Sequence, residues 1–96
     1  MAVGFLTERQ LASTSKRIRA LREELRILDE QRSQFVEDAD DMAIRALVSD
    51  DGNDGREAKD SRRHADAMTR RRGDIVTEIT SLEARQDELL DKLNSR

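Results

Sequence analysis

Apolar residues recur along the first half of the chain at alternating spacings of three and four positions. The positions in this series are Leu11, Thr14, Ile18, Leu21, Leu25, Leu28, Arg32, Phe35, Ala39, Met42 and Ala46. Because an α-helix turns once every ~3.6 residues, this spacing brings all of these side chains to one stripe. A sustained seven-residue repeat is typical of a helix that pairs with another helix. The pattern therefore predicts a first long helix with one apolar seam.

The second half of the chain repeats the pattern. Its seam positions are Ser61, Ala65, Met68, Arg72, Ile75, Ile79, Leu82, Gln86, Leu89 and Leu93. Between the two seams lies the short stretch "ALVSDDGNDGREA", residues 46–58, which is rich in acids and glycine. A short connection forces two consecutive helices to run antiparallel. The sequence therefore predicts an all-α fold, an antiparallel two-helix coiled-coil hairpin.

The ends of the helices are predicted from capping signals. Thr7 is followed three residues later by Gln10, and Asp54 by Glu57, which are the spacings of capping boxes. Gly52 suits the left-handed residue that follows a helix end. These signals predict a lead-in over 1–6 and one hairpin over 7–96, with helices at about 7–51 and 55–95 and a turn at about 52–54.

Charges beside the seams favour one of two registers that lie a heptad apart. If the numbers of facing residues sum to about 107, Arg22 meets Glu83. If they sum to about 100, the same rule brings Arg17 to Arg85, which is repulsive. The charges therefore predict the first register, with the bend centred near 53–54.

The apolar face is wider than two helices require. Four apolar residues lie beside the seam rather than on it: Val36, Ala43, Val76 and Leu90. A wide apolar stripe favours further helices, most simply a second copy that completes a four-helix bundle. We therefore expect a homodimer that uses these four residues. The alternative is that they are single exposed apolar residues, which are normal on any protein surface.

Two arginines, Arg32 and Arg72, occupy seam positions, where an unpaired charge is costly. In one interpretation, both side chains reach outward to carboxylates such as Asp29 or Glu37 and help to specify the register. In the other, they form a site for an anion or for a carboxylate of a partner. Arg72 can also stack over the ring of Phe35.

Composition and charge narrow the function. The 96 residues are 41% charged and contain only two aromatic residues, as in long exposed helices rather than a globular core. The formal net charge is −3 with both signs interspersed, so we expect no direct binding to nucleic acid or to a membrane. The basic run "SRRHADAMTRRR" faces the acidic run "EDADD", residues 37–41, which neutralises it. Without cysteine, a signal peptide or a long apolar segment, the expected location is cytoplasmic.

Candidate chemistry is sparse. His64 is the single histidine, and the sequence offers no nucleophile and general base that could act together. We therefore expect no enzyme, no catalytic residue and no cofactor. The loop resembles a calcium-binding loop only in part. Asp50 and Asp54 occupy its first and fifth positions, but Gly52 and Ser61 stand where the third and twelfth ligands belong. No metal site is therefore assigned, and Asp50 and Asp54 remain the candidate ligands.

The region around the bend is the candidate partner-binding site. Six residues of this region combine apolar and acidic side chains: Ile44, Leu47, Val48, Asp50, Asp51 and Asp54. An apolar cluster surrounded by charge is typical of a protein-binding surface. The alternative is that the apolar residues pack under the loop or against a second hairpin.

A hairpin with Asp50, Asp51 and Asp54 at its bend is similar in architecture to the coiled-coil hairpin of the Gre and DksA transcription factors. Those factors insert an acidic tip into the secondary channel of bacterial RNA polymerase, where its carboxylates influence the catalytic metal. The resemblance covers the shape and these acids but no specific motif, so no family is assigned. The sequence accordingly predicts a scaffold or adaptor that binds a protein, with a regulator of RNA polymerase as the alternative.

Overall fold

The structure is a computed structural model that describes residues 2–95, with side chains described from Gly4 onward. It contains two helices, α1 (Ala2–Val48) and α2 (Gly52–Asn94), which pack against each other as a helical hairpin. No strand is present within residues 2–95. The predicted all-α hairpin is thereby confirmed. Met1 of the predicted lead-in and Arg96 at the end of the predicted hairpin lie outside the described residues.

The first helix begins earlier than its capping signal suggested. Residues 2–6, predicted as a lead-in, belong to α1, and Thr7 lies inside that helix with only 6% of its surface exposed. Residues 2–6 contain no proline, and a single helical glycine costs only about 1 kcal/mol relative to alanine. Nothing in this segment therefore stops the helix at Thr7.

The turn is also displaced, to residues 49–51. Asp51 caps α2, because its Oδ1 accepts a hydrogen bond of 2.9 Å from the backbone N–H of Asn53. The backbone N–H of Asp51 in turn donates to Ser49 Oγ at 3.1 Å. The prediction that Gly52 follows a helix end in a left-handed conformation was wrong, because Gly52 opens α2 and no described glycine has a positive φ. Asp54, predicted as the cap, lies in the first turn of α2 instead.

Contacts divide the chain into two compact units. The first unit combines the residues up to Leu25 with those from Asp74 onward, and the second is Arg26–Gly73. The buried apolar residues of the first unit are Ile18, Leu21, Ile75, Ile79 and Leu89. Those of the second unit are Ala39 and Ala65. Each of these residues occupies a seam position that the heptad pattern predicted, so the pattern identified the core.

The register of the first unit differs from the prediction. Gln86 Nε2 donates a hydrogen bond of 2.9 Å to Ser15 Oγ, and the residue numbers 15 and 86 sum to 101. Arg17 lies 3.1 Å from Glu78, a pair whose numbers sum to 95. These contacts fit a register centred on about 100, and the predicted sum of 107 was wrong.

The second unit has its own cross-helix contacts, which give a similar register. Arg72 Nε donates to Asp29 Oδ1 at 2.7 Å, and Arg32 Nε donates to Thr69 Oγ1 at 2.9 Å. The residue numbers of both pairs sum to 101. A sum near 100 centres the bend on residue 50, in agreement with the observed turn at 49–51.

The charge argument failed because long side chains reach along the helix. The ion pair between Arg22 and Glu83 was predicted for the register with a sum of 107. It also forms in the observed register, at 3.0 Å. The expected repulsion is relieved, since Arg17 pairs with Glu78 and Arg85 with Glu88 on its own helix at 3.2 Å. Exposed ion pairs are worth only about 0.2–1 kcal/mol each, too little to select a register.

Candidate functional site

The most exposed large apolar side chains of the second unit lie in the last two turns of α1. Ile44 is 62% exposed, and Leu47 and Val48 are each 85% exposed. Because they are three and four residues apart, these three side chains share one face of the helix. We call this set the tip triad. Its exposure excludes the alternative that these residues pack under the loop.

The triad is exposed because it lies off the seam. The seam positions in the same turns are Met42 and Ala46, and both are half-buried. Ile44 and Val48 are two residues from Ala46 and Leu47 is one residue from it, so none of the three lies on the stripe that meets the partner helix. The helical pairing that buries the seam therefore leaves Ile44, Leu47 and Val48 uncovered within the chain.

The three acids near the bend have three different environments. Asp51 is engaged as the cap of α2. Asp54 is half-buried in the first turn of α2, where a carboxylate interacts favourably with the helix dipole. Asp50 is exposed, and within the described residues its side chain makes no hydrogen bond or ion pair. Of these three acids, Asp50 is therefore the one fully available to a partner.

The role of Asp51 as a cap was not identified from the sequence. Acids at 50, 51 and 54 can each cap a helix that begins nearby, and the spacing from Asp54 to Glu57 favoured the wrong one. Glu57 instead accepts a hydrogen bond of 3.1 Å from the side chain of Asn53. No sequence signal separates the two candidates, because Asp51 and Asp54 each directly precede a glycine.

The concave surfaces near the bend are small. A cavity of about 50 Å³ is lined by Met42, Arg45, Asp54 and Glu57. That volume is far below the ~300–1,000 Å³ of typical small-molecule sites. A shallower hollow of about 210 Å³ lies beside Asp38, Asp41, Met42 and Arg45. The geometry at the bend thus favours a protruding surface over a pocket.

The first unit has a larger groove. It measures about 480 Å³ and is lined by Leu6, Arg9, Gln10, Ser13, Thr14 and Arg85. Phe5 is 59% exposed beside it, and the guanidinium carbon of Arg9 lies 5.8 Å from the centroid of the Phe5 ring. The sequence had indicated Gln10 only as part of a capping box and Thr14 only as a seam position, and it had not predicted a groove here.

The calcium-like loop does not have the form of a loop in the structure. Its residues from Gly52 onward are helical, so Asp54 belongs to α2 while Asp50 belongs to the turn. Among the described residues, no group of three or more histidine, cysteine or carboxylate side chains is placed to hold a metal ion.

The two seam arginines both have polar partners. Arg72 forms an ion pair with Asp29, one of the carboxylates predicted from the sequence as partners of the seam arginines. Arg32 bonds to the hydroxyl of Thr69 rather than to a carboxylate. The side chains of Arg72 and Asp29 are each 42% exposed, so this ion pair is not deeply desolvated. The geometry agrees with side chains that reach outward from the seam.

The aromatic contact of the second unit involves a different residue from the one expected. The rings of Phe35 and His64 lie 4.4 Å apart between centroids, with an angle of 58° between their planes. The predicted stacking of Arg72 over Phe35 is therefore replaced by a ring–ring contact across the two helices.

The basic run of α2 is partly neutralised, as the sequence suggested. Arg62 forms an ion pair with Asp40 on the opposite helix. Arg63 forms an ion pair with Asp60 on its own helix. These contacts agree with an electrostatic match between the two helices rather than with a free cationic face.

The predicted oligomer residues lie partly or fully at the surface. In the second unit, Val36 is half-buried and Ala43 is exposed one heptad later. In the first unit, Val76 is 38% exposed and Leu90 is 40% exposed. Their surfaces are available for association.

Within residues 2–95, neither helix has a segment both long and apolar enough to cross a lipid bilayer. Comparison of the chain with protein families, with curated proteins and with solved structures found no match.

Proposed function

We propose that this protein is a non-enzymatic coiled-coil scaffold or adaptor of the cytoplasm, which binds a protein partner through its tip and self-associates as a homodimer. The observation that carries the proposal is the exposure of the tip triad. Ile44, Leu47 and Val48 are 62%, 85% and 85% exposed on one face of α1.

Burial of this surface by a partner is energetically favourable. Full burial of a Val, Leu or Ile side chain is worth about 1.5–3 kcal/mol. Single exposed apolar residues are ordinary, but three on one helical face form a contiguous patch. Interfaces typically combine such an apolar centre with a polar rim, and Asp50 lies two residues after Val48. The triad therefore supports a protein-binding surface better than it supports apolar residues that are exposed without a function.

Self-association is the second part of the proposal. It is supported by the surface positions of Val36, Ala43, Val76 and Leu90, which widen the apolar face beyond the seam. A second hairpin that covered these residues would complete a four-helix bundle.

Site-specific photocrosslinking in living cells tests the tip. A photoreactive amino acid replaces Leu47 in one variant and Ala84, an exposed residue of the other unit, in a matched control. We expect a discrete crosslinked protein from position 47 and none from position 84. Introduction of Val48→Asn should reduce the yield from position 47, because it removes adjacent apolar surface. Equal crosslinking at both positions would contradict a specific tip.

Sedimentation velocity tests self-association. We expect the mass of a dimer at micromolar concentration and the mass of a monomer for the double variant Val76→Asn with Leu90→Asn. The matched control is Ile27→Asn, because Ile27 is 41% exposed but was not assigned to the oligomer face. A monomer at every concentration in the unmodified protein would rule out the dimer.

A regulator of RNA polymerase is the alternative, and the exposed carboxylate of Asp50 favours it. The double variant Asp50→Asn with Asp51→Asn removes both charges and retains a capping side chain, since asparagine caps as well as aspartate. If the alternative is correct, this variant should abolish an effect on transcription by purified bacterial RNA polymerase while the helical content is unchanged. If the adaptor proposal is correct, the unmodified protein should have no such effect.

A further inference from the structure

The segment that contains the tip triad is much more negative than the rest of the chain. Residues 37–60 contain nine acidic and three basic residues, a formal net charge of −6, whereas the whole chain carries −3. The remainder of the chain therefore has a net charge of +3. The most acidic segment of the protein is the one that carries its most exposed apolar patch.

Some of these acids share the helical face of the triad. Asp41 precedes Ile44 by three residues and Glu37 precedes it by seven, so both lie on the same side of α1. Asp50 follows Val48 in the turn. Within the described residues, none of these three carboxylates makes an ion pair or a side-chain hydrogen bond. The apolar patch is thus flanked at both ends by carboxylates that form no ion pair within the described residues.

Within the described residues, no basic side chain forms an ion pair with these three carboxylates. Arg62 is engaged by Asp40. Arg45 lies one turn after Asp41 and lines a hollow beside it, but the two side chains form no ion pair within the described residues. The net charge of −6 over residues 37–60 already includes Arg45, Arg56 and Lys59, so the rim of the triad stays negative.

We infer that the tip binds a cationic amphipathic helix of another protein, with apolar residues one turn apart that cover the tip triad and lysine or arginine side chains that reach Glu37, Asp41 and Asp50. This inference rests on the proposed function and specifies its partner. A second copy of the tip is a poor occupant, because two segments of charge −6 would meet. An anionic membrane surface is disfavoured for the same reason. Electrostatic complementarity of this kind also speeds encounter and rejects acidic competitors.

Methyl NMR spectroscopy with two designed peptides tests this inference. Both probes are helical 18-residue peptides with leucine on one face, and the other positions carry lysine in one peptide and glutamate in the second. We expect the lysine peptide to shift the methyl signals of Ile44, Leu47 and Val48, and the glutamate peptide to leave them unchanged. The binding should weaken as sodium chloride is raised from low to high concentration, since exposed charges are screened.

A charge-matched pair of variants separates a local rim from general attraction. The triple variant Glu37→Gln, Asp41→Asn and Asp50→Asn should weaken binding of the lysine peptide about tenfold. This factor is the combined effect of losing three exposed charge contacts. The control variant Asp74→Asn, Asp87→Asn and Asp91→Asn removes the same charge from positions of the other unit and should have less than a twofold effect. Equal weakening by both variants would overturn the inference.

The remaining outcomes are also decisive. Equal binding of both peptides at the triad would overturn a cationic partner but leave an apolar protein-binding tip, and hence the proposed function, intact. Shifts of the triad signals on dilution of the double variant Val76→Asn with Leu90→Asn, which is expected to be monomeric, would identify a second copy as the occupant of the tip and overturn the inference. Failure of the proposed function itself would appear separately, as the absence of a specific crosslink from position 47 in cells.

Discussion

Gln86 and Ser15 face each other across α1 and α2, with the Gln86 amide donating a hydrogen bond of 2.9 Å to the Ser15 hydroxyl. Both residues are half-buried, and Gln86 is a polar member of an otherwise largely apolar seam. A register shifted by one heptad would place Gln86 opposite Leu21, which is fully buried. The polar layer therefore aligns the helices of this unit, because a half-buried amide without a partner costs more than an exposed ion pair gains.

Engineered cysteine pairs should distinguish the two registers, and the absence of native cysteine makes the test clean. We expect Leu25→Cys with Ile75→Cys to form an intramolecular disulfide under mild oxidation. Leu25→Cys with Leu82→Cys should not, because seven residues along a helix correspond to about 10.5 Å, beyond the reach of a disulfide. Electrophoresis with and without reductant measures both. Faster closure of the second pair would restore the register with a sum of 107.

Arg32 and Arg72 should make the protein less stable to unfolding than apolar residues at the same seam positions would. Replacement of both residues, Arg32→Leu with Arg72→Leu, should raise the free energy of unfolding by about 1 kcal/mol, because the apolar surface gained exceeds the value of half-exposed polar contacts. For a chain of this size the melting temperature should rise by roughly 4–8 °C in a thermal scan followed by circular dichroism.

The control for this prediction is Arg63→Leu with Arg70→Leu, which removes two arginines from positions off the seam. It should give little or no stabilisation. A lower melting temperature for the seam variant would show that Arg32 and Arg72 hold the register.

Gly73 should be replaceable with a gain in stability. It lies within α2, and a Cβ atom added there would meet nothing within 4 Å. Gly73→Ala should therefore stabilise the protein by about 1 kcal/mol, as expected for an unconstrained helical position. The reverse change at an exposed position of the same helix, Ala67→Gly, should destabilise it by a similar amount. Urea unfolding measures both, and a loss of stability in Gly73→Ala would indicate that the position is covered in an assembly.

The cap of α2 should depend on Asp51. Asp51→Ala removes the acceptor for the N–H of Asn53 and should cost about 0.5–2 kcal/mol, whereas Asp51→Asn should cost little. Asp50→Ala is the matched control, because the side chain of Asp50 makes no hydrogen bond within the described residues. Thermal unfolding of the three variants gives the comparison. Equal losses for Asp50→Ala and Asp51→Ala would disprove the assignment of the cap.

The candidate tip was only partly predictable. The positions of Ile44, Leu47 and Val48 outside the heptad seam were visible in the sequence, and burial follows the seam, so their exposure agrees with that pattern. The different environments of Asp50 and Asp51 were not visible. They depend on which residue begins α2, and neighbouring acids compete for the role of cap with free energies that differ by less than about 1 kcal/mol.

The helices and the core follow from the heptad spacing, and the hairpin follows from that spacing together with the short connection between the two seams. That spacing places side chains on one face of a helix regardless of its partner, so it assigns Leu21, Ile75 and Leu89 to the interior without any tertiary information. The register, the start of α1 at Ala2 and the turn at 49–51 are instead properties of the folded chain. They depend on small free-energy differences between competing contacts. For example, Arg17 forms an ion pair with Glu78 and thereby avoids the repulsive contact with Arg85 that the sequence suggested, and this choice depends on the positions of the side chains in the folded chain.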